Sequence, residues 1–216
     1  MARKVTIGRE VILEAALRML IRDGYSSVNI KTLSAEIGCS TQPIVWHFKN
    51  MDGLRSALYE YACAYAAGTG VSASASQDNS GSDPGSEEAG NAVEGFESVG
   101  AAYVRMALNE PNLFKYLYLG EAPSSGKHEV KDIASAGHNS AIVKKICEET
   151  GLKRASVLRY IRNTIIYSHG IATLVATGML TATEKEMMKM INNAAEGFLL
   201  MEGIDPGRMP KKGKTR

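Results

Sequence analysis

The stretch Val28-Asn29-Ile30-Lys31-Thr32-Leu33-Ser34-Ala35-Glu36-Ile37-Gly38-Cys39-Ser40-Thr41-Gln42-Pro43-Ile44-Val45-Trp46-His47-Phe48-Lys49-Asn50 decides how the chain is read. Leu33 and Ile37 stand one turn apart, so a short helix is predicted from about Lys31 to Ile37. Gly38 stops it, as a glycine just past a helix end does. Only Cys39 and Ser40 separate that glycine from the next start signal. Ser40 or Thr41 can cap a third helix, and Pro43 is tolerated in its first turn, where the missing N–H had no helical partner. Ile44 and Phe48 form that helix's buried i, i+4 pair. Two short helices joined by a tight glycine turn are the skeleton of a helix-turn-helix, a skeleton that generic helical hairpins share.

Working outward, Val11, Ile12, Ala15, Ala16, Met19 and Leu20 recur at helical spacing and give a first helix one apolar face, ended by Gly24. Downstream, Asn50 caps a fourth helix from Met51 to about Ala67, with Leu54, Leu58 and Tyr61 facing inward. The segment 68–95 changes character: Gly, Ser, Ala, Asn and acids dominate, Pro84 interrupts it, and no apolar period runs through it. It reads as a flexible linker, because it cannot bury enough surface to offset the entropy of ordering it. Helical spacing then returns over Ala92 to Asn109, Asn112 to Leu119, Val130 to Thr150, Lys153 to Thr177 and Thr183 to Met201. Nothing alternates as a strand does. The expected fold is all-α. Residues 1–50 form a three-helix helix-turn-helix domain, 51–67 a connecting helix, 68–95 the linker, 96–204 a helical domain and 205–216 a basic tail.

Composition narrows the classes further. At 216 residues and 44% hydrophobic, the chain can fill one or two cores unaided. No apolar run approaches the ~20 residues of a membrane span, and the N-terminus has no signal-peptide pattern, so a cytoplasmic protein is expected. Cys39, Cys63 and Cys147 are too scattered for a disulfide framework or a zinc site. His128 and His138 match no compact metal motif, so neither a metal nor a cofactor is expected. No phosphate loop, His-x-x-x-His pair or nucleophile elbow is present, which argues against an enzyme. The net charge of +2 matters less than its distribution. Asp78, Asp83, Glu87, Glu88, Glu94 and Glu97 stand in a stretch without bases, whereas Arg208, Lys211, Lys212, Lys214 and Arg216 crowd the tail.

With Ile44 and Phe48 inside, the third helix turns Thr41, Gln42, Val45 and Trp46 outward. Gln42 offers the bidentate amide that suits an adenine edge, and Thr41 and Val45 can meet a thymine methyl. Trp46, His47 and Lys49 supply N–H donors for phosphates, and Lys31 and Thr32, which open the second helix, are further phosphate contacts. The fourth helix adds the N–H groups of its own N-terminus. The alternative is that Val45 and Trp46 pack inside the small domain. Arg3, Lys4 and Arg9 stand ahead of the first helix, either as a groove-reaching arm or as an ordinary loose start.

The run 28–50, within residues 9–62, resembles the TetR family of bacterial regulators: a helix ending at glycine, a short cap, then a helix closing on aromatics and Phe-Lys-Asn. Met51-Asp52-Gly53-Leu54 departs from that family's usual basic-acidic-Leu opening, and Val45 stands where tyrosine is common. The resemblance implies base reading by Thr41, Gln42, Pro43 and Val45, and phosphate contacts by Trp46, His47 and Lys49. It also implies a homodimer through the last two helices, whose apolar residues include Ile165, Ile171, Leu174, Val175, Met179, Met187, Met190, Ile191, Phe198 and Leu199. Tyr103-Val104-Arg105-Met106-Ala107, Asn109-Glu110-Pro111-Asn112-Leu113-Phe114 and Ser168-His169-Gly170 resemble its Trp-His-Gly subclass. Ligand-binding candidates are Tyr103, Met106, Phe114, Tyr118, Ile142, Thr164, Tyr167 and His169, an apolar set with few polar anchors. The implied function is a ligand-responsive repressor that a small molecule releases from a palindromic operator, nucleoid-associated when bound. The alternatives are an activator, or a helical partner-binding module with no DNA role.

Overall fold

The computed structural model describes residues 7–68, 92–120 and 139–204. Among them every regular element is helical: α1 (Arg9–Asp23), a 3₁₀ turn (Tyr25–Ser27), α2 (Ile30–Ile37), α3 (Gln42–Phe48), α4 (Met51–Gly68), α5 (Ala92–Asn109), α6 (Pro111–Tyr118), α7 (Asn139–Thr150), α8 (Arg154–Ala176) and α9 (Glu184–Met201). The all-helical expectation is met, and most helix boundaries fall within a few residues of those read from the sequence. Of the expected linker, Gly68 closes α4 and 92–95 open α5. Residues 69–91 lie outside the described residues, as do Arg3, Lys4, His128, His138 and the basic tail. No described helix is long and apolar enough to cross a membrane.

The chain divides into two compact units, one of α1–α4 and α6, the other of α5 and α7–α9. The first unit is built on α1. Ile12, Leu13, Ala15, Ala16, Leu17, Met19 and Leu20 are all buried, a wider arc than a single amphipathic stripe, because α2, α3, α4 and α6 all pack on this helix. Two expectations about this unit are corrected. Val11 is half exposed, since it shares the outer stripe of Glu14 and Arg18, three and seven residues on. In α4 the buried tyrosine is Tyr59, packed edge-on against Tyr116 of α6 at 6.3 Å, while Tyr61 is only half buried. The α6 helix also departs from the linear division. Leu113, Phe114, Tyr116 and Leu117 are buried in the first unit, although the segment reads as part of the C-terminal domain.

The second unit centres on Val143, Ile146, Val157, Tyr160, Ile161, Ala195 and Leu199, with Ile142, Ile165 and Phe198 packed against them. Its helices α8 and α9 form a hairpin, and α9 opens on a capping box. Thr183 Oγ1 accepts from Glu186 N at 3.3 Å, and the Glu186 carboxylate accepts from Thr183 N at 2.8 Å. From α5, Arg105 pairs with Glu184 at 2.8 Å and Tyr103 bonds His169 of α8 at 2.5 Å.

Candidate nucleic-acid interface

The start of α2 is fixed by its sequence. Asn29 Oδ1 accepts from the backbone N–H groups of Lys31 and Thr32, at 3.1 and 3.0 Å. Thr32 Oγ1 in turn accepts from Asn29 N at 3.2 Å, and it donates its own proton to the Ser27 carbonyl at 2.6 Å. The helix stops in a Schellman turn. Gly38 sits at φ 74°, its N–H reaching Ala35 O at 3.1 Å and that of Cys39 reaching Ser34 O at 2.9 Å. This left-handed residue is the one that swings the chain from α2 into α3.

Thr41 is the N-cap of α3, but only by position. Its backbone is already helical, its side chain makes no capping bond, and its carbonyl accepts from Val45 N at 3.1 Å. Pro43 occupies the first turn as expected. Ile44 and Phe48 are buried at 0% and 5% exposure, whereas Val45 is 44% and Trp46 74% exposed, and Thr41 and Gln42 are exposed beside them. Packing of Val45 and Trp46 inside the small domain is thereby ruled out. The indole of Trp46 leans on His47, edge to face at 4.5 Å.

The exit from α3 is tighter than residue spacing alone conveys. Lys49 holds φ 66° and ψ −55°, and Asn50 N donates to Phe48 O at 2.8 Å, which is the uncommon γ-turn with a non-glycine centre. Asn50 Oδ1 then accepts from Gly53 N at 3.0 Å, capping α4 as expected. Gly53 is there because nothing else fits: a Cβ at this position would lie 2.1 Å from the Phe48 carbonyl oxygen. The sequence signal for this close approach is the glycine itself, which interrupts an otherwise ordinary helix opening.

The remaining candidates divide by what their polar atoms already do. Lys31 and Lys49 are exposed, and neither ammonium has a hydrogen-bond or ion-pair partner among the described residues. Thr32 is exposed, but its proton is committed to Ser27. His47 is half buried, and its Nε2 donates to the Ile7 carbonyl at 3.0 Å, which fixes the tautomer and leaves Nδ1 as the open nitrogen. Arg9, the last of the N-terminal bases, lies over the Phe48 ring at 5.5 Å. Together these two contacts clamp the start of α1 to the end of α3.

The second set of candidates is divided between the two units. Phe114 and Tyr118 belong to the first unit, where their rings meet at 5.3 Å, and burial pushes the Tyr118 hydroxyl well above its usual range. Tyr103, Met106, Ile142, Thr164, Tyr167 and His169 belong to the second. There Met106 and Thr164 are buried, Thr164 Oγ1 donates to Tyr160 O at 2.9 Å, Ile142 packs on the central cluster and Tyr167 is 40% exposed. His169 is the chemically distinctive member. Burial depresses its pKa below the ordinary 6.5, so the ring is neutral near pH 7, and its Nδ1 shares a hydrogen bond with the Tyr103 hydroxyl.

Residues 12–58, from α1 to the second turn of α4, match the family model described as bacterial regulatory proteins, tetR family. No curated protein matches the chain.

Proposed function

We propose that the chain, whose residues 12–58 match the tetR family model, is a DNA-binding transcriptional regulator of that kind, a homodimeric repressor released from a palindromic operator by a small molecule. The observation that carries the proposal is the outer face of α3, where Thr41, Gln42, Val45 and Trp46 stand exposed, with the exposed ammoniums of Lys31 and Lys49 in the flanking segments. A seven-residue helix with that surface has the right size to enter a major groove, where an amide and small apolar groups meet base edges while cations meet phosphates. Thr41, Gln42, Pro43 and Val45 are assigned to bases, and Lys31, Trp46 and Lys49 to phosphates. His47 contributes mainly by holding α1, and Thr32 by capping α2.

A helix-turn-helix of this size reads half-sites in pairs, so a dimer surface is needed. Support comes from the second unit. Ile171, Met187, Ile191 and Leu199 are consumed by its core, but Ile166, Tyr167, Leu174 and Met201 remain exposed at 49%, 40%, 42% and 77%. Gly170 on α8 and Gly197 on α9 lie on the same stripes, at positions where a Cβ would meet nothing. A partner's helices could approach closely there. The ligand site is assigned to the Tyr103–His169 pair with Met106 and Thr164 on the same unit. A ligand releases the operator only to the extent that it prefers the DNA-incompetent arrangement, typically by ~1–3 kcal/mol.

Selecting bound fragments from genomic DNA with the purified protein tests the proposal. Recovery of a near-palindromic sequence that controls a transcript rising on deletion of the gene is the expected result. A transcript that falls indicates an activator, and failure to enrich any sequence favours the partner-binding reading instead.

A further inference from the structure

We infer that Asn112, on the first turn of α6, is a positioning residue for the helix-turn-helix, acting through the C-terminus of α1. Its Nδ2 donates to the carbonyls of Ile21 and Arg22, at 3.1 and 3.3 Å, two of the acceptors a helix end leaves without intrahelical partners. The same side chain packs on the turn after α1: its Oδ1 lies 3.7 Å from the place a Cβ would take on Gly24, which stands at φ 86°. One helical turn along α6, the Tyr116 ring meets Tyr25 at 4.9 Å. At the near end of the helix, Glu110 accepts from Tyr65 of α4 at 2.8 Å. Helix α6 therefore grips the exit of α1, the 3₁₀ turn and the far end of α4 at once.

The residues after Gly24 carry that grip to α2. The Ser27 hydroxyl donates to Gly24 O at 2.7 Å, and the Ser27 carbonyl accepts from Thr32, the residue that completes the capping box of α2. A route thus runs from Asn112, which bonds the end of α1 and packs beside Gly24, through the two hydrogen bonds of Ser27 to the first turn of α2, where Lys31 stands for its proposed phosphate contact. A second tie between α1 and α2, Arg22 with Glu36 at 3.1 Å, is solvent-exposed and correspondingly weak. The amide of Asn112 instead runs to carbonyls at the negative end of the α1 dipole, and its bond to Ile21 is partly buried.

The test is amide hydrogen exchange on the full-length protein, with no DNA or ligand, so its outcome does not depend on the proposed repressor function. Asn112→Ala is expected to speed exchange about tenfold, the size of one or two modest hydrogen bonds, at Gly24, Ser27, Lys31 and Thr32 together, with α8 and α9 unchanged. Two further variants serve if Asn112→Ala does not fold. Asn112→Ser keeps a donor on a shorter arm, while Asn112→Asp keeps the shape but turns a carboxylate toward two carbonyls. The inference requires Asp to loosen Lys31 and Thr32 more than Ser does. Faster exchange confined to the α1 end, or equal effects of Ser and Asp at Lys31 and Thr32, would show a local cap and overturn it.

Discussion

Trp46 carries an indole that is 74% exposed on a helix whose other large apolar groups, Ile44 and Phe48, are almost fully buried. Removing it should therefore cost the fold little. Trp46→Ala is expected to shift stability by no more than about 0.5 kcal/mol, as surface changes usually do, while weakening operator binding. Chemical denaturation alongside a binding titration checks both halves. Gly53 is the opposite case. Any side chain there collides with the Phe48 carbonyl, and both are backbone-anchored, so Gly53→Ala must displace the γ-turn at Lys49. A loss of about 1–3 kcal/mol, the usual cost of overpacking, should appear in the unfolding midpoint together with loss of operator binding. A variant of wild-type stability would mean that the turn is looser than described. His169 sets a pH dependence in the second unit. Its folded pKa is lowered by burial, so the unfolded chain binds the proton first, and stability falls as pH drops below about 6.5. The loss between about pH 7 and pH 5.5 should be smaller in His169→Gln, as thermal melts across that range would reveal.

At seven residues, α3 is far shorter than an isolated helix needs to be, so its neighbours hold it in place. The capping box at Asn29 is one such hold. Asn29→Ala should cost about 1 kcal/mol, and because α2 packs on both α1 and α3 the loss should be felt in DNA affinity as well. Thr183→Ala removes the corresponding box from α9 at similar cost but should leave DNA affinity of the folded protein alone. Comparing the two variants by melting and by operator titration separates a cap that supports the interface from one that supports only a helix. Local signals of this kind are legible in the sequence: the glycine stops, the cap of α4, the Ile44 and Phe48 pair and the outward Trp46 all appear where spacing and residue chemistry put them. Periodicity names a face, however, and not what covers it. Spacing places Val11 inside and passes over Leu13 and Leu17, because it allows α1 one covered side where the fold covers several. It favours Tyr61 over Tyr59 because the partner that buries Tyr59 is Tyr116, on a helix remote in sequence that reads as part of another domain.

On the scale of the whole molecule, the chain crosses between its two compact units more than once. Helix α5 belongs to the second unit, and a single residue, Glu110, separates it from α6 of the first. No local pattern could announce that crossing, since it depends on which core each face meets. It also splits the ligand candidates, leaving Phe114 and Tyr118 among the side chains of the DNA-binding unit. The proposed dimer is a property of this scale. Leu174→Glu, placed on the exposed stripe of α8, should halve the mass seen by sedimentation while the monomer keeps its helicity, and should weaken binding to a two-half-site operator far more than to one half-site. An unchanged mass would remove the α8 surface from the interface. The central claim, that the outer face of α3 lies against DNA, is tested most directly by Trp46 fluorescence, because the chain contains one tryptophan. A selected operator duplex is titrated into the full-length protein at several salt concentrations. The account predicts a saturable change in the Trp46 emission whose midpoint weakens steeply with salt, as release of counterions from several phosphates requires. Binding detected by another signal, with the Trp46 emission unmoved, would contradict it.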